Sequence, residues 1–355
     1  MRVLHVDTAA GWRGGQNQVL LAAGGMRALG HEVRVACRAG GALEGRARAA
    51  GLAVEPLPFA GDLGPFGLLG LWRLVRRFRP EALQLHDPHA VSAGLLAAGR
   101  RAPLVATRRV DFPLRGALSR RKYAACRRVI AVSSAIRQVL LRDGLDAGRL
   151  RLVYEGVPDR PPQPGGRQAL RELGVPEGAR VVGNVAALTD HKDQRTLLRA
   201  AAEVLRARPE ACFVIVGEGE LRAELERLAG ELGLGPRCRF AGFRGDLDRL
   251  MPAFDVFCLS SHMEGLGTSL LDAMCFARPV VATAAGGIPE AVEDGVTGRL
   301  APPRDPAALA RALLEALESD ERRRAWGAAG RARFLRLFTA ERMVAQSLAV
   351  YAEAA

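Results

Sequence analysis

A chain of 355 residues with 49% hydrophobic and 25% charged content is long enough for two domains with full cores, and its balance is that of a globular protein. No apolar run approaches the ~20 residues that a membrane helix needs. The six cysteines form no CxxC pair and have no close histidine, which points away from a zinc site or a disulfide framework and towards a reducing, cytoplasmic setting. Net charge is +13, yet residues 1–157 hold 25 basic and 11 acidic side chains (+14), whereas 158–355 hold 26 and 27 (−1). Only Lys122 and Lys192 are lysine. Codon bias accounts for arginine in general but not for this separation, so an acidic partner is expected on the first half.

In chain order, the start MRVLHVDTAAG is too brief for a secretory apolar region. VLHVD (3–7) reads as a strand, followed by Gly14-Gly15 and a helical run, QNQVLLAAGGMRALG, that Gly30 ends. EVRVAC (32–37), ALQLHD (82–87) and RVIAVS (128–133) are further strands of the same half. PDRPPQPGG (158–166), with four prolines and two glycines, breaks the pattern and predicts a linker. Behind it the order restarts: RVVGNVA (180–186), a helix from about Gln194 to Arg206, then CFVIVGEGE (212–220) and LRAELERLAGEL. DVFCL (255–259) and PVVAT (279–283) follow, the latter leading into GGIPE. The expectation is α/β: two Rossmann-like doubly wound domains facing across a cleft, with ligands beyond the carboxyl ends of the strands. The first domain spans 1–157, the linker 158–170 and the second domain 171–335. An amphipathic run from about Arg336 to Ala355 ends the chain.

The most informative stretch is Glu264-Gly-Leu-Gly-Thr-Ser-Leu-Leu-Asp272. A strand, a glycine turn and an apolar helix in succession place free backbone N–H groups and the positive end of a helix dipole together, which suits an anion. Asp272 lies too deep in the helix to cap it. If the backbone holds a phosphate, the two carboxylates are left to accept from hydroxyls. The same residues also fit a purely structural turn.

The stretch continues as EGLGTSLLDAMCFARPVVATAAGGIPEAVEDGVTGRL, which resembles the signature of the retaining GT-B glycosyltransferases of family 4. Those enzymes carry an E-x7-E pair, a run like A-x-G-x-PVVAT-x-x-GG-x-PE and a G-x-TG-x-L. WRGGQNQVLLAAGGMRALGHEV, ALQLHDPHAVSAG, HKDQRTLLRAA and CFVIVGEGELRAELERLAGELGLGPRCRFAGF resemble further family motifs in the same order. The resemblance implies transfer of a sugar from a nucleotide-diphosphate sugar to an acceptor hydroxyl, with no metal and no cofactor. It implies that Glu264 contacts the donor sugar's hydroxyls and that Asp272 grips the ribose. Gly265, Leu266, Gly267 and Thr268 would hold sugar and diphosphate by their backbone, and Lys192 would meet the diphosphate. Gly217, Glu218, Phe243 and Arg244 would line the base, Gly14 and Gly15 would close over the diphosphate, and His86 would sit near the sugar. In relatives the C-terminal helix crosses back to the first domain.

Three departures stand out. The second acid is Asp272 rather than Glu. Ala187 replaces a common arginine, for which Arg13, Arg108 and Arg109 are the candidate substitutes. Asp193 follows the lysine where the family has Gly, and it reads as a helix cap. Asp246-Leu247-Asp248 spells the DxD of metal-dependent transferases but opens a helix, where capping is the simpler account.

In LLGLWRLVRRFRP (68–80) and RGALSRRKYAACRR (115–128), apolar and arginine residues alternate at helical spacing. That pattern fits a helix lying on an anionic membrane surface, which would serve a lipid-linked or cell-envelope acceptor. It fits equally a helix docked on its own sheet, and the two readings stay open. A nucleotide-sugar 2-epimerase of the same fold lacks the E-x7-E signature. A basic nucleic-acid-binding protein would need stacking or base-reading motifs that are not present.

Overall fold

The computed structural model describes residues 1–59, 64–99 and 101–355. They divide into two units: Met1–Pro158 with Thr339–Ala355, and Asp159–Phe338.

In the first unit, short Val-, Leu- and Ala-rich runs form seven strands: β1 (Arg2–Asp7), β2 (Glu32–Arg38), β3 (Ala53–Leu57), β4 (Ala82–Leu85), β5 (Leu104–Arg108), β6 (Arg128–Ala131) and β7 (Leu150–Leu152). All pair in parallel in the order β3-β2-β1-β4-β5-β6-β7. Helices α1 (Gly14–Ala28), α2 (Ala42–Ala49), α3 (Pro65–Phe78), α4 (Pro88–Ala98), α5 (Gly116–Ala124) and α6 (Ser134–Arg142) make the crossovers. Parallel strands covered on both faces read as unbroken apolar runs, and β4 and β5 are buried at every position. Chain order reverses between β1 and β4, where such sheets open a crevice.

The second unit repeats this plan after α7 (Gly166–Glu172). Its strands are β8 (Arg180–Val185), β9 (Ala211–Val216), β10 (Cys238–Gly242), β11 (Val256–Leu259), β12 (Val280–Thr283) and β13 (Gly298–Ala301). They pair in parallel as β10-β9-β8-β11-β12-β13, with the reversal between β8 and β11. The helices are α8 (Gln194–Ala207), α9 (Arg222–Glu231), α10 (Leu247–Leu250), α11 (Thr268–Cys275), α12 (Ile288–Ala291), α13 (Pro306–Glu318) and α14 (Asp320–Leu337). α8 and α13 pack together over one face of the sheet, with Leu197, Leu198, Ala201, Leu309 and Leu313 in its core.

Arg336 belongs to the last turn of α14, and the final helix, α15 (Ala340–Ala354), starts after Thr339. The Thr339 hydroxyl accepts from the Arg342 N–H, a standard N-cap. α15 packs on α1, burying Met343, Val344, Val350 and Tyr351 in the core of the first unit. Gly156 passes so close to Thr339 that a Cβ would lie 2.3 Å from its carbonyl oxygen.

Candidate active site

In the second unit, the segments leaving β8 and β11 meet at the reversal point. Thr283 Oγ1 donates to the Ser261 carbonyl (2.5 Å), and Ser260 Oγ donates to the Lys192 carbonyl (3.0 Å). The His262 N–H donates to the His191 carbonyl (3.0 Å). These bonds bring Lys192 and Glu264, 72 positions apart in sequence, into an ion pair in which Nζ donates to Oε2. Both side chains are largely buried, and Ser261 Oγ donates to the same Oε2 (3.2 Å). The Glu264 carbonyl accepts from the Gly287 N–H of the GGIPE turn (3.1 Å), so two parts of the signature hold each other.

After Glu264, Gly265 and Leu266 are buried, Gly267 stands at the N-cap and Thr268 opens α11. Gly267 has φ +88°, the left-handed region that glycine occupies without penalty. The first-turn amides of α11 thus begin beside the Lys192–Glu264 pair, a cation and a helix N-terminus at one edge of the sheet. Asp193, in the position the family gives to Gly, has φ +47°. It keeps the left-handed turn and adds a cap, accepting from the Thr196 N–H (3.3 Å) and hydroxyl (2.7 Å).

The residues expected to line the base lie on the same edge. Gly217 donates its N–H to the Gly242 carbonyl (2.8 Å), which ties the ends of β9 and β10. The Glu218 carboxylate is held by Arg222 (2.6 Å), and Phe243 is 61% exposed. Arg244 is bound by Asp246 through two bonds of 2.8 and 2.7 Å. The capping account of Asp246 therefore needs correction: it occupies the N-cap position of α10, but its side chain takes the Arg244 guanidinium instead of the helix amides. Asp248 likewise accepts from Arg160 (2.5 Å).

Asp272 is an ion-pair partner too. Arg160, from the proline-rich segment, donates Nη2 to Asp272 Oδ1 (2.7 Å). Burial raises the Asp272 pKa, and the Arg160 charge and hydrogen bond work against that rise. Nothing in the sequence signals this arginine, which sits among prolines 112 positions away.

In the first unit, Gly14 and Gly15 form the first turn of α1. The Arg13 N–H before them donates to Gln16 Oε1 (3.2 Å), and Gln16 Nε2 donates to Asp7 Oδ2 (3.0 Å) at the end of β1. Burial raises the Asp7 pKa, as does the charge of Asp87. Asp87 caps α4 through the His89 and Ala90 amides and also accepts from the Thr8 N–H (2.7 Å) and hydroxyl (2.9 Å).

His86 follows β4 at the reversal point and is buried. Arg109 donates to its Nδ1 (3.2 Å) and its carbonyl (3.1 Å), and its Nε2 contacts His5 Nδ1 (2.8 Å). A hydrogen bond from this ring to a sugar hydroxyl would have to displace His5 or Arg109. Of the arginines considered as substitutes at the diphosphate, Arg109 is also paired with Glu155 (2.8 Å). Arg108 is buried, donating to the Phe112 carbonyl (2.7 Å). His5 and Arg109 complete the cluster around His86. His5 is concealed in the sequence by the strand pattern of VLHVD.

Two parallel doubly wound sheets, each with its polar cluster at the order reversal, define the GT-B class of fold. The Anabaena protein HepE, solved in complex with UDP-glucose, superposes with a TM-score of 0.87 over 98% of this chain and 99% of its own, at 25% identity. Sucrose-phosphate synthase from Thermosynechococcus elongatus superposes with a TM-score of 0.83 over 99% and 98%, at 21% identity. The family model described as Glycosyl transferases group 1 matches residues 167–333, and that of Glycosyltransferase Family 4 matches 12–160. The two matches take in most of the chain, which belongs to the family-4 glycosyltransferases. D-inositol 3-phosphate glycosyltransferase of Mycolicibacterium gilvum is 35% identical over 243 residues, 66% of this chain. That of Corynebacterium kroppenstedtii is 37% identical over 166 residues, 44% of this chain. The matches span only 54% and 37% of the relatives' own lengths.

Proposed function

We propose that this chain is a retaining glycosyltransferase that moves a sugar from a nucleoside-diphosphate donor to an acceptor hydroxyl, with no resident metal or cofactor. The observation that carries the reading is the Lys192–Glu264 pair beside the glycine turn that opens α11. A diphosphate arriving there exchanges one partner of Lys192 for another. Its oxygens take the ammonium and the first-turn amides of α11, and Glu264 is released to accept from sugar hydroxyls. As the bond from sugar to phosphate breaks, negative charge grows on the leaving diphosphate, where a fixed cation and helix N-terminus stabilise it most. In a retaining transfer the donor phosphate itself takes the acceptor's proton, on the face that the nucleotide leaves. We assign His86 an orienting role, its ring exchanging the His5 or Arg109 bond for one to a sugar hydroxyl; burial pushes its pKa well down, so it stays neutral.

UDP is the first carrier to test, because HepE was solved with UDP-glucose. An inositol phosphate is the first free acceptor, after the relatives' name. A lipid-linked acceptor is favoured by the outer surface of α3 and α5. There Phe66 and Leu118 are 76% and 80% exposed and share the surface with Arg73, Arg76, Arg120 and Arg121. Among the described residues no helix is long and apolar enough to cross a membrane. The contact we propose is peripheral and on the cytoplasmic face.

The test is a thermal-shift screen over UDP-, GDP- and ADP-sugars, followed by hydrolysis of the best donor without acceptor and by NMR of the product's anomeric configuration. A donor-dependent shift with slow hydrolysis and a retained anomer is expected. Absence of both shift and hydrolysis for every donor would end the proposal.

A further inference from the structure

We propose that Arg160 is a positioning residue for the nucleotide's ribose: it occupies Oδ1 of Asp272 and fixes the carboxylate so that Oδ2 is the oxygen a ribose hydroxyl meets. The inference rests on the reading of Asp272 as the ribose ligand and adds to it the residue that makes the ligand competent.

The guanidinium of Arg160 is held from three sides. Nη2 donates to Asp272 Oδ1 (2.7 Å), Nε donates to Asp248 Oδ1 (2.5 Å), and the group lies 5.3 Å from the centre of the Phe276 ring. Its main chain is fastened as well, since the Cys275 thiol lies 3.8 Å from its carbonyl and neighbouring Asp159 pairs with Arg331 (2.6 Å). The arginine is therefore a fixed point and not a mobile surface charge. A planar fork donating to two carboxylates sets direction as well as charge.

Asp272 needs such a point. It is one methylene shorter than the glutamate common at this place, so its reach is set by where α11 puts it and by how its carboxylate is turned. Its side chain is 18% exposed, burial favours the protonated form, and Asp248 adds to that tendency. A protonated acid is a poorer acceptor for two hydroxyls than a carboxylate. Arg160 opposes both effects, holding the charge and the plane.

The experiment measures binding of UDP, GDP and ADP, and of the 2′,3′-dideoxy form of whichever binds, to the wild-type chain, Asp272→Asn, Arg160→Gln and Arg160→Lys. Wild type is expected to prefer the ribo form by about 10-fold or more, the scale of a hydroxyl bonded to a charged group. Asp272→Asn should abolish most of that preference. In Arg160→Gln the preference should fall below about 3-fold while dideoxy affinity changes less than about 2-fold, with partial recovery in Arg160→Lys. A merely structural arginine would weaken both nucleotides alike. Preference retained in Arg160→Gln while Asp272→Asn loses it overturns the role of Arg160 alone. If wild type shows no preference, or Asp272→Asn keeps it, or no nucleotide binds, the underlying reading fails and the proposal with it. Should Arg160→Gln not fold, Arg160→Lys carries the test, because it keeps the charge and loses the planar fork: reduced preference with little change in dideoxy affinity supports the proposal, and full preference overturns it.

Discussion

The rings of His5 and His86 stack with centroids 5.1 Å apart, and Nδ1 of His5 lies 2.8 Å from Nε2 of His86. Arg109 can only donate, so His86 Nδ1 must accept, and His86 Nε2 then carries the proton that it gives to His5 Nδ1. His5 Nε2 is left protonated, buried and without a partner among the described residues. A charged ring fits nowhere in this chain of donors.

Acid is expected to destabilise the protein for this reason. Burial and the nearby Arg109 lower the His5 pKa from 6.5 to about 3 and hold His86 well below its ordinary value. Between those limits the unfolded chain binds protons that the folded one refuses, so stability is full above about pH 6.5 and is lost as pH falls towards 3. Each ring contributes a slope of about 1.4 kcal/mol per pH unit. Asp7, whose pKa is raised, opposes the trend, so the informative quantity is the difference between wild type and His5→Gln. Urea unfolding at pH 7, 6 and 5 should show a wild-type slope that exceeds the variant's by about 1.4 kcal/mol per pH unit below pH 6, and equal slopes would contradict the neutral stack.

Lys192→Ala should cut turnover at least ~100-fold, the scale of losing a charge that acts on a leaving group. It should also lower stability, because Glu264 is left buried without its cation. Lys192→Ala with Glu264→Gln should regain stability without regaining turnover. Steady-state kinetics and thermal unfolding on wild type and the two variants separate the two effects, and wild-type kcat in Lys192→Ala would remove the lysine from the chemistry.

Two glycines at the sheet edge differ in what a side chain would meet. A Cβ at Gly217 would lie 1.9 Å from the Ala186 carbonyl oxygen, main chain that cannot step aside, and φ there is +141°. At Gly267 the nearest atom is Leu270 Cδ1 at 2.9 Å, the end of a flexible side chain, and φ is +88°. Gly267→Ala should cost about 1–3 kcal/mol from backbone strain, and Gly217→Ala substantially more, up to loss of folding. Melting temperatures in the reverse order would contradict this packing.

The double α/β architecture is legible in the sequence because both signals behind it are local: apolar runs of strand length and helical spacing between them. Glu264 and Lys192 are legible by motif. Their mutual ion pair is not, since it depends on β8 and β11 becoming neighbours. Ion-pair partners are the least legible of all. Asp246 and Asp272 take arginines two and 112 positions away, and spacing alone offers capping or solvation as simpler accounts. His5 lies in a strand buried over five of its six positions, where a polar residue must find a partner that only the tertiary fold supplies. The apolar residues of 68–80 also divide in a way that periodicity does not foretell: Leu71, Val75 and Phe78 are core, and Leu68 and Trp72 pack against it.

That division sharpens the test of membrane binding. Docking on its own sheet accounts for most of the apolar face of α3, but not for Phe66 and Leu69, which share the outer face with Arg73 and Arg76. α3 packs on α4 and α4 on α5, so Leu118, Arg120 and Arg121 continue one helical layer. Vesicles rich in acidic lipid should sediment the protein at low salt and release it as salt rises, since screening weakens the arginine contribution. Phe66→Ser with Leu118→Ser should reduce binding at least ~10-fold at constant salt, because each buried apolar side chain is worth about 1.5–3 kcal/mol and only part of each enters the interface. Binding that follows salt but ignores the double substitution would make the surface purely electrostatic. No sedimentation at low salt would remove the membrane from the account and leave a free acceptor.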